Sequence, residues 1–249
     1  MLSSLEISIQ KDERAKVNQH FGSLMHGVLM QKINSQYAEY LHQNNLKPFS
    51  QYMYYYKERD CVIWKINTFN EVAKTNIIDI LLNDTNDKLR VDHKNIDLKI
   101  SAKTLKTSIT YKDLSQQYFL EKPLIKKMPV NFLTPTTFKT NGNYVIFPEV
   151  SNIYFSLLNK WNEFSEEIKL NDKDVLEHLI TNTKIIGYKL KSTKFEMEKI
   201  RINSFQGEVC LFISGPEALT RIANLLFAFS EYSGIGAKTA LGMGGVRVE

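Results

Sequence analysis

Apolar and polar positions along the 249-residue chain change period several times, and each change marks a predicted element. L-E-I-S-I, from Leu5 to Ile9, alternates as a half-buried strand does. From about Asn18 to His42 the spacing becomes helical, with Phe21, Leu24, Met25, Val28 and Leu29 forming one apolar stripe. Alternation returns near Gln51 to Tyr56 and Cys61 to Thr68, two strands joined by the polar turn K-E-R-D. A helix from about Asn70 to Leu82 and strand-like residues up to about Leu105 follow. The order is strand, helix, strand, strand, helix, strand.

The same order starts again after a polar stretch from Tyr111 to Lys127. Strands are predicted near Met128 to Phe138 and Tyr144 to Phe147, then helices near Ser151 to Ser165 and Lys173 to Asn182. K-I-I-G-Y-K-L-K-S-T-K-F and G-E-V-C-L-F-I-S read as paired strands, Pro216 to Phe229 as a helix, and Ala240 to Val248 as a closing strand. Hence an α+β fold of two tandem ferredoxin-like (βαββαβ, RRM-like) domains is expected, residues 1–120 and 121–249. The shared rhythm supports this, not a repeated sequence.

Composition agrees with a folded chain: 43% hydrophobic, 11 Gly, 6 Pro, and no low-complexity block. The first ten residues lack a secretory pattern and no apolar run is long enough for a membrane span, so a cytoplasmic protein is expected. Cys61 and Cys210 lie in apolar strand-like runs and read as buried reduced thiols. The net charge of +5 fits nucleic-acid binders and many other enzymes. Its distribution says more. Lys184, Lys189, Lys191, Lys194, Lys199 and Arg201 face only Glu196 and Glu198, and Lys189 and Lys191 share a strand face. Such a hairpin suits a phosphate backbone, or equally a lysine-guarded edge strand.

Gly234, Gly236, Gly242, Gly244 and Gly245 place five of the 11 glycines within twelve residues, G-I-G-A-K-T-A-L-G-M-G-G. Such a segment can turn successive N–H groups into an anion-binding nest, with Lys238 adding charge, or it can be a glycine-capped structural turn. It is neither a dinucleotide fingerprint nor a Walker loop, because a helix precedes it and V-R-V follows.

G-I-G-A-K-T-A-L-G-M-G-G-V-R-V resembles the C-terminal glycine-rich motif of the repeat-associated RNA-binding superfamily, specifically of the CRISPR repeat-processing endoribonucleases. T-P-T-T-F-K-T-N-G-N-Y-V-I-F-P-E-V with L-L-N-K-W-N is similar to that family's middle block. L-M-H-G-V-L-M-Q-K-I, then Y-L-H and K-P-F-S, resembles its N-terminal helix and following turn. Members that accompany type III systems of Gram-positive bacteria look closest. The resemblance implies metal-independent cutting of CRISPR repeat RNA, and transient association with a type III effector complex. Whether the protein is a monomer or a homodimer is left open.

Five histidines are available. His93 and His178 read as surface residues, and His20 as a residue at a helix start. His42 ends the long helix, and Pro48 discourages helix at Lys47, so imidazole and ammonium can converge there. In the resembling family the corresponding histidine and lysine are catalytic, which maps those roles onto His42 and Lys47. The competing reading of His42 is a cationic helix C-cap. His26 lies ~140° from Phe21 at ~100° per residue, on the flank of the apolar stripe. With Gly22 one turn earlier leaving room for a ligand, His26 is a second candidate, or a partly buried structural histidine. Some family members carry a catalytic tyrosine roughly at Gly27.

The chemistry implied is attack by a 2′-hydroxyl on the adjacent phosphodiester, giving 5′-hydroxyl and cyclic-phosphate ends. A histidine suits proton transfer near neutrality and a lysine suits charge stabilisation. No H-E-x-x-H, paired acidic motif or cysteine/histidine cluster suggests a metal, and no organic cofactor is implied. The predicted RNA contacts are Gly234, Gly236, Lys238, Gly242, Gly244, Gly245, Lys189, Lys191 and Lys194. Tyr52, Tyr54, Tyr55 and Tyr56 invite base stacking, against the alternative of ordinary cross-strand packing. The rival function is a non-catalytic guide-RNA-binding subunit of an effector complex.

Overall fold

The computed structural model describes residues 1–11, 17–170, 173–197 and 200–248; Glu198 and Lys199 of the basic run lie outside them. The N-terminal sheet consists of β1 (Leu2–Gln10), β2 (Phe49–Tyr56), β3 (Cys61–Thr68), β4 (Lys88–Val91) and β5 (Ile96–Ile109), in the order β2-β3-β1-β5-β4. All its pairings are antiparallel. Without the β4 extension this is the ferredoxin-like order, first strand flanked by third and fourth.

One face of this sheet is apolar because Leu5, Ile7, Ile9, Phe49, Met53, Val62, Trp64 and Ile66 follow period two. Helices α1 (Gly22–Lys32) and α2 (Ser35–Gln43) cover it, with a third helical run: α3 (Glu71–Ala73), a π-helical turn Lys74–Asp79, and α4 (Ile80–Asn83). The single helix expected from Asn18 to His42 is therefore two. Ile33 is extended, and the Asn34 side chain accepts a hydrogen bond from the Gln36 amide at 2.8 Å, capping a new helix.

After a short helix α5 (Tyr111–Gln116) come β6 (Lys127–Thr136), the hairpin β7 (Phe138–Thr140) and β8 (Asn143–Val145), and helices α6 (Val150–Phe164) and α7 (Lys173–Thr181). Then follow β9 (Thr183–Glu196), β10 (Arg201–Ile213), α8 (Glu217–Ser233) and β11 (Val246–Val248). The second sheet runs β11-β6-β10-β9, again the ferredoxin-like order and again antiparallel. Its core joins Val130, Phe132, Phe205, Val209 and Leu211 to Tyr154, Leu157, Trp161, Phe227 and Phe229 from α6 and α8.

Two expectations change in this half. The polar stretch from Tyr111 is helical to Glu121, started by Thr110, whose side chain accepts from the Asp113 amide at 3.0 Å. Tyr111 anchors it edge-on against Trp161, ring centroids 4.9 Å apart. The closing strand begins at Val246 rather than Ala240, because Gly242 and Gly244 take positive φ, which extended chain does not use. Cys61 is buried, whereas Cys210 is only partly so. No helix among the described residues is long and apolar enough to cross a membrane.

Candidate nucleic-acid interface and cleavage site

Between α8 and β11 the glycine segment packs onto the N-terminal unit. Its short 3-10 turn, Thr239–Leu241, inserts Ala240 into the core of the first sheet. Glycine is required where backbones meet. A Cβ on Gly242, at φ 106°, would stand 2.6 Å from the Gly22 Cα, and one on Gly245 would stand 2.6 Å from the Tyr52 ring. The space beside Gly22, read from sequence as room for a ligand, is thus taken by Gly242.

Much of the segment's hydrogen bonding is internal. The amides of Ile235, Gly236, Ala237, Gly244 and Gly245 donate to Gly244 O, Ser156 Oγ, Thr137 O, Pro135 O and Thr134 Oγ1. Gly234, Gly242, Gly244 and Gly245 are buried, while Gly236, Ala237, Lys238 and Leu241 keep partial exposure. The partly exposed stretch of the segment is the one around Lys238, which is left-handed at φ 59°.

His26 projects from α1 beside this segment. Its Nδ1 lies 3.2 Å from the Ala240 carbonyl, and its ring stacks on Phe49 of the K-P-F-S turn, centroids 6.0 Å apart and 3° from parallel. A carbonyl only accepts, so Nδ1 carries the proton. Burial pushes the imidazole down to about 4; the Ala240 hydrogen bond opposes this, and the charges of His42 and Lys47 lower it further. The ring is therefore neutral at neutral pH, with its lone pair on Nε2.

His42 is exposed in the last turn of α2, and Lys47 is half-buried after it, its Nζ donating to the Asn44 carbonyl. Burial pulls the Lys47 ammonium below its ordinary value. The charges of His42 and Lys47 both reach His26, and the glycine segment contacts His26 through the Ala240 carbonyl.

The family model for CRISPR-associated endoribonuclease Cas6 matches residues 130–246, which take in the second sheet and the glycine segment. The CRISPR-associated endoribonuclease Cas6 of Streptococcus thermophilus is 29% identical over 228 residues, 90% of this chain and 89% of that protein. Over most of its length the chain is similar to the Cas6 endoribonucleases. The Cas6 of Mycobacterium tuberculosis is 28% identical over alignments covering 100% of this chain and 78% of its own. Among solved structures, a Cas6 product complex superposes with a TM-score of 0.82 at 20% identity, covering 100% of this chain and 99% of that one. Thermus thermophilus Cas6 gives 0.77 at 20% identity over 100% and 98%. These likenesses establish the fold as that of Cas6.

Lys189, Lys191 and Lys194 are all exposed on β9, the edge of the second sheet. Lys189 pairs across the ladder with Glu208, and Lys191 with Gln206. Lys194 lies on the opposite strand face from those two. Among the tyrosines, Tyr52 is buried under Gly245, Tyr54 donates to Glu6 and Tyr56 to Glu58, and Tyr55, half exposed, donates to Asp60. His93 and His178 are exposed, and His20 sits in the 3-10 turn before α1.

Two residues escaped the sequence reading. Gln51, fully buried, bonds to the glycine segment and to α1. Lys160 on α6 donates to the carbonyls of Ser233 (3.1 Å), Gly234 (3.1 Å) and Gly236 (3.4 Å). A signal existed for Lys160, which falls at a core position of the stripe Ile153, Leu157, Trp161, Phe164. Gln51 offers none, because its partners are distant in sequence.

Proposed function

We propose that this chain cuts CRISPR repeat RNA by attack of a ribose 2′-hydroxyl on the adjacent phosphodiester, with no metal or cofactor, releasing 5′-hydroxyl and cyclic-phosphate ends. His26 takes the 2′-hydroxyl proton through Nε2, His42 protonates the departing 5′-oxygen, and Lys47 neutralises the phosphorane. The observation that carries this reading is the Nδ1 contact of His26 with Ala240, since it leaves a neutral imidazole with a defined lone pair. Similarity to the Cas6 family model, to the Streptococcus thermophilus Cas6 and to a Cas6 product complex supports repeat RNA as substrate.

Residues 1–120 then supply the proton-transfer side chains. Residues 121–249 supply the RNA-positioning loop, with Lys238, Gly236 and the β9 lysines along the backbone. The resemblance to enzymes that accompany type III systems supports transient association with such an effector complex in the cytoplasm.

The test is repeat RNA incubated in EDTA, with and without a 2′-deoxy nucleotide upstream of the scissile phosphate. The unmodified RNA is expected to be cut once per repeat, and the substituted RNA to bind uncut. Cutting of the substituted RNA refutes 2′-hydroxyl attack, and binding of both without cutting gives the guide-RNA-binding subunit instead.

A further inference from the structure

Gln51 lies on the helix-covered face of β2 with no exposed surface, where a polar side chain is tolerated only if its atoms find partners. Its Nε2 donates to the Gly22 carbonyl at 2.7 Å and the Ala240 carbonyl at 3.1 Å, and its Oε1 accepts from Trp64 Nε1 at 2.8 Å. These partners fix the amide in one orientation. Reversed, Oε1 would face two carbonyl oxygens and the amino group an indole N–H, with no hydrogen bond made. The Ala240 carbonyl thus receives two donors from the N-terminal unit, Gln51 and His26. Gln51 also holds Gly22, one turn before His26 on α1.

We propose that Gln51 is a positioning residue for proton transfer at His26: its carboxamide holds the Ala240 carbonyl and the first turn of α1 at the spacing that keeps the His26 proton on Nδ1. The proposal rests on His26 being the proton acceptor. An imidazole released from such a partner favours the proton on Nε2, which would remove the lone pair that meets the 2′-hydroxyl. Gln51 itself touches neither RNA nor the reacting atoms. Its loss acts through the tautomer and leaves the exposed residues around Lys238 in place.

Gln51→Met keeps length and volume but has no N–H. Nitrogen-15 NMR of the histidine-labelled full chain, without RNA, reads the tautomer; single-turnover cleavage and RNA affinity are measured on the same protein. Wild type is expected to show Nδ1–H. In Gln51→Met the tautomer should move toward Nε2–H, with the cleavage rate down about ten-fold to a hundred-fold, as expected for a misplaced reacting group. RNA affinity should stay within about three-fold, separating chemistry from binding. An unmoved tautomer or an unchanged rate overturns the proposal. Should Gln51→Met fail to fold, Trp64→Phe removes the indole N–H that orients the amide and is expected to shift tautomer and rate in the same directions; wild-type behaviour there also overturns it. Because the tautomer is read without substrate, a wild-type rate in His26→Ala would remove the proton-acceptor assignment, whereas an unmoved tautomer in Gln51→Met removes the role of Gln51.

Discussion

His26 Nδ1 lies 3.2 Å from the carbonyl oxygen of Ala240, 214 residues later in the chain. The proposed proton acceptor is thereby joined to the glycine-rich segment by a hydrogen bond. Replacing His26 with Ala should lower single-turnover cleavage about 10²–10⁴-fold, the usual contribution of general acid–base catalysis. Affinity for uncleavable repeat RNA should hardly change. A parallel fall in affinity would make His26 a binding residue instead.

The same contact has a pH signature. Folded His26 titrates near 4, against 6.5 in the unfolded chain. Between those values the unfolded chain binds more protons, so stability falls as pH drops through the window and is insensitive to His26 above it. The loss should reach about 3 kcal/mol. Urea unfolding of wild type and His26→Phe across this range should show the wild-type curve descending more steeply. The acid limb of the cleavage profile of the free enzyme should likewise lie below the ordinary histidine range.

Gly242 and Gly22 meet backbone to backbone, so Gly242→Ala places a methyl group where a Cα already stands, at a φ that L residues rarely adopt. Destabilisation of about 1–3 kcal/mol is expected from strain of this kind. Because the displaced segment carries Ala240, cleavage should fall more than RNA affinity does. Equal losses in filter binding and single-turnover cleavage would show that the segment only binds RNA.

Legibility in the sequence followed the range of the interactions. Period-two and helical spacing located β1 through β3, the β9–β10 pair and both ferredoxin-like orders, because each depends on neighbours a few residues apart. The break at Asn34 is not legible, since a side-chain cap there interrupts an apolar stripe that reads as continuous. The glycine cluster announced a close approach, but only the folded chain reveals that the neighbours are Gly22 and Tyr52. The helix end that carries His42, and the non-helical Lys47 after it, are legible from adjacent residues. The bonds of His26 and Gln51 to Ala240 span nearly the whole chain, and no local pattern encodes them.

Gly27 stands where some relatives are expected to place a tyrosine. It is exposed within α1, and a Cβ there would meet nothing within 4 Å. Gly27→Ala should therefore stabilise the helix by about 0.5–1 kcal/mol, the propensity difference between the two residues. With no protein atom in the way, cleavage should be retained in this variant. A fall in RNA affinity with raised thermal stability would instead mean that RNA passes close over Gly27.

Lys160 is 6% exposed, and burial pulls its ammonium down to about 7. The charged form has three N–H donors for the carbonyls of Ser233, Gly234 and Gly236. The neutral amine has two, so one carbonyl must face a lone pair. From about pH 7 to 10.5 the unfolded chain keeps the proton that the folded chain has lost, so stability rises with pH there. Lys160→Met removes the titration. The difference between wild type and Lys160→Met in urea unfolding should then move in favour of wild type by about 1.4 kcal/mol per pH unit above neutrality and stay flat below it. A difference that is constant from pH ~6 to ~9.5 would mean that the ammonium stays charged throughout, its three carbonyls offsetting the loss of hydration.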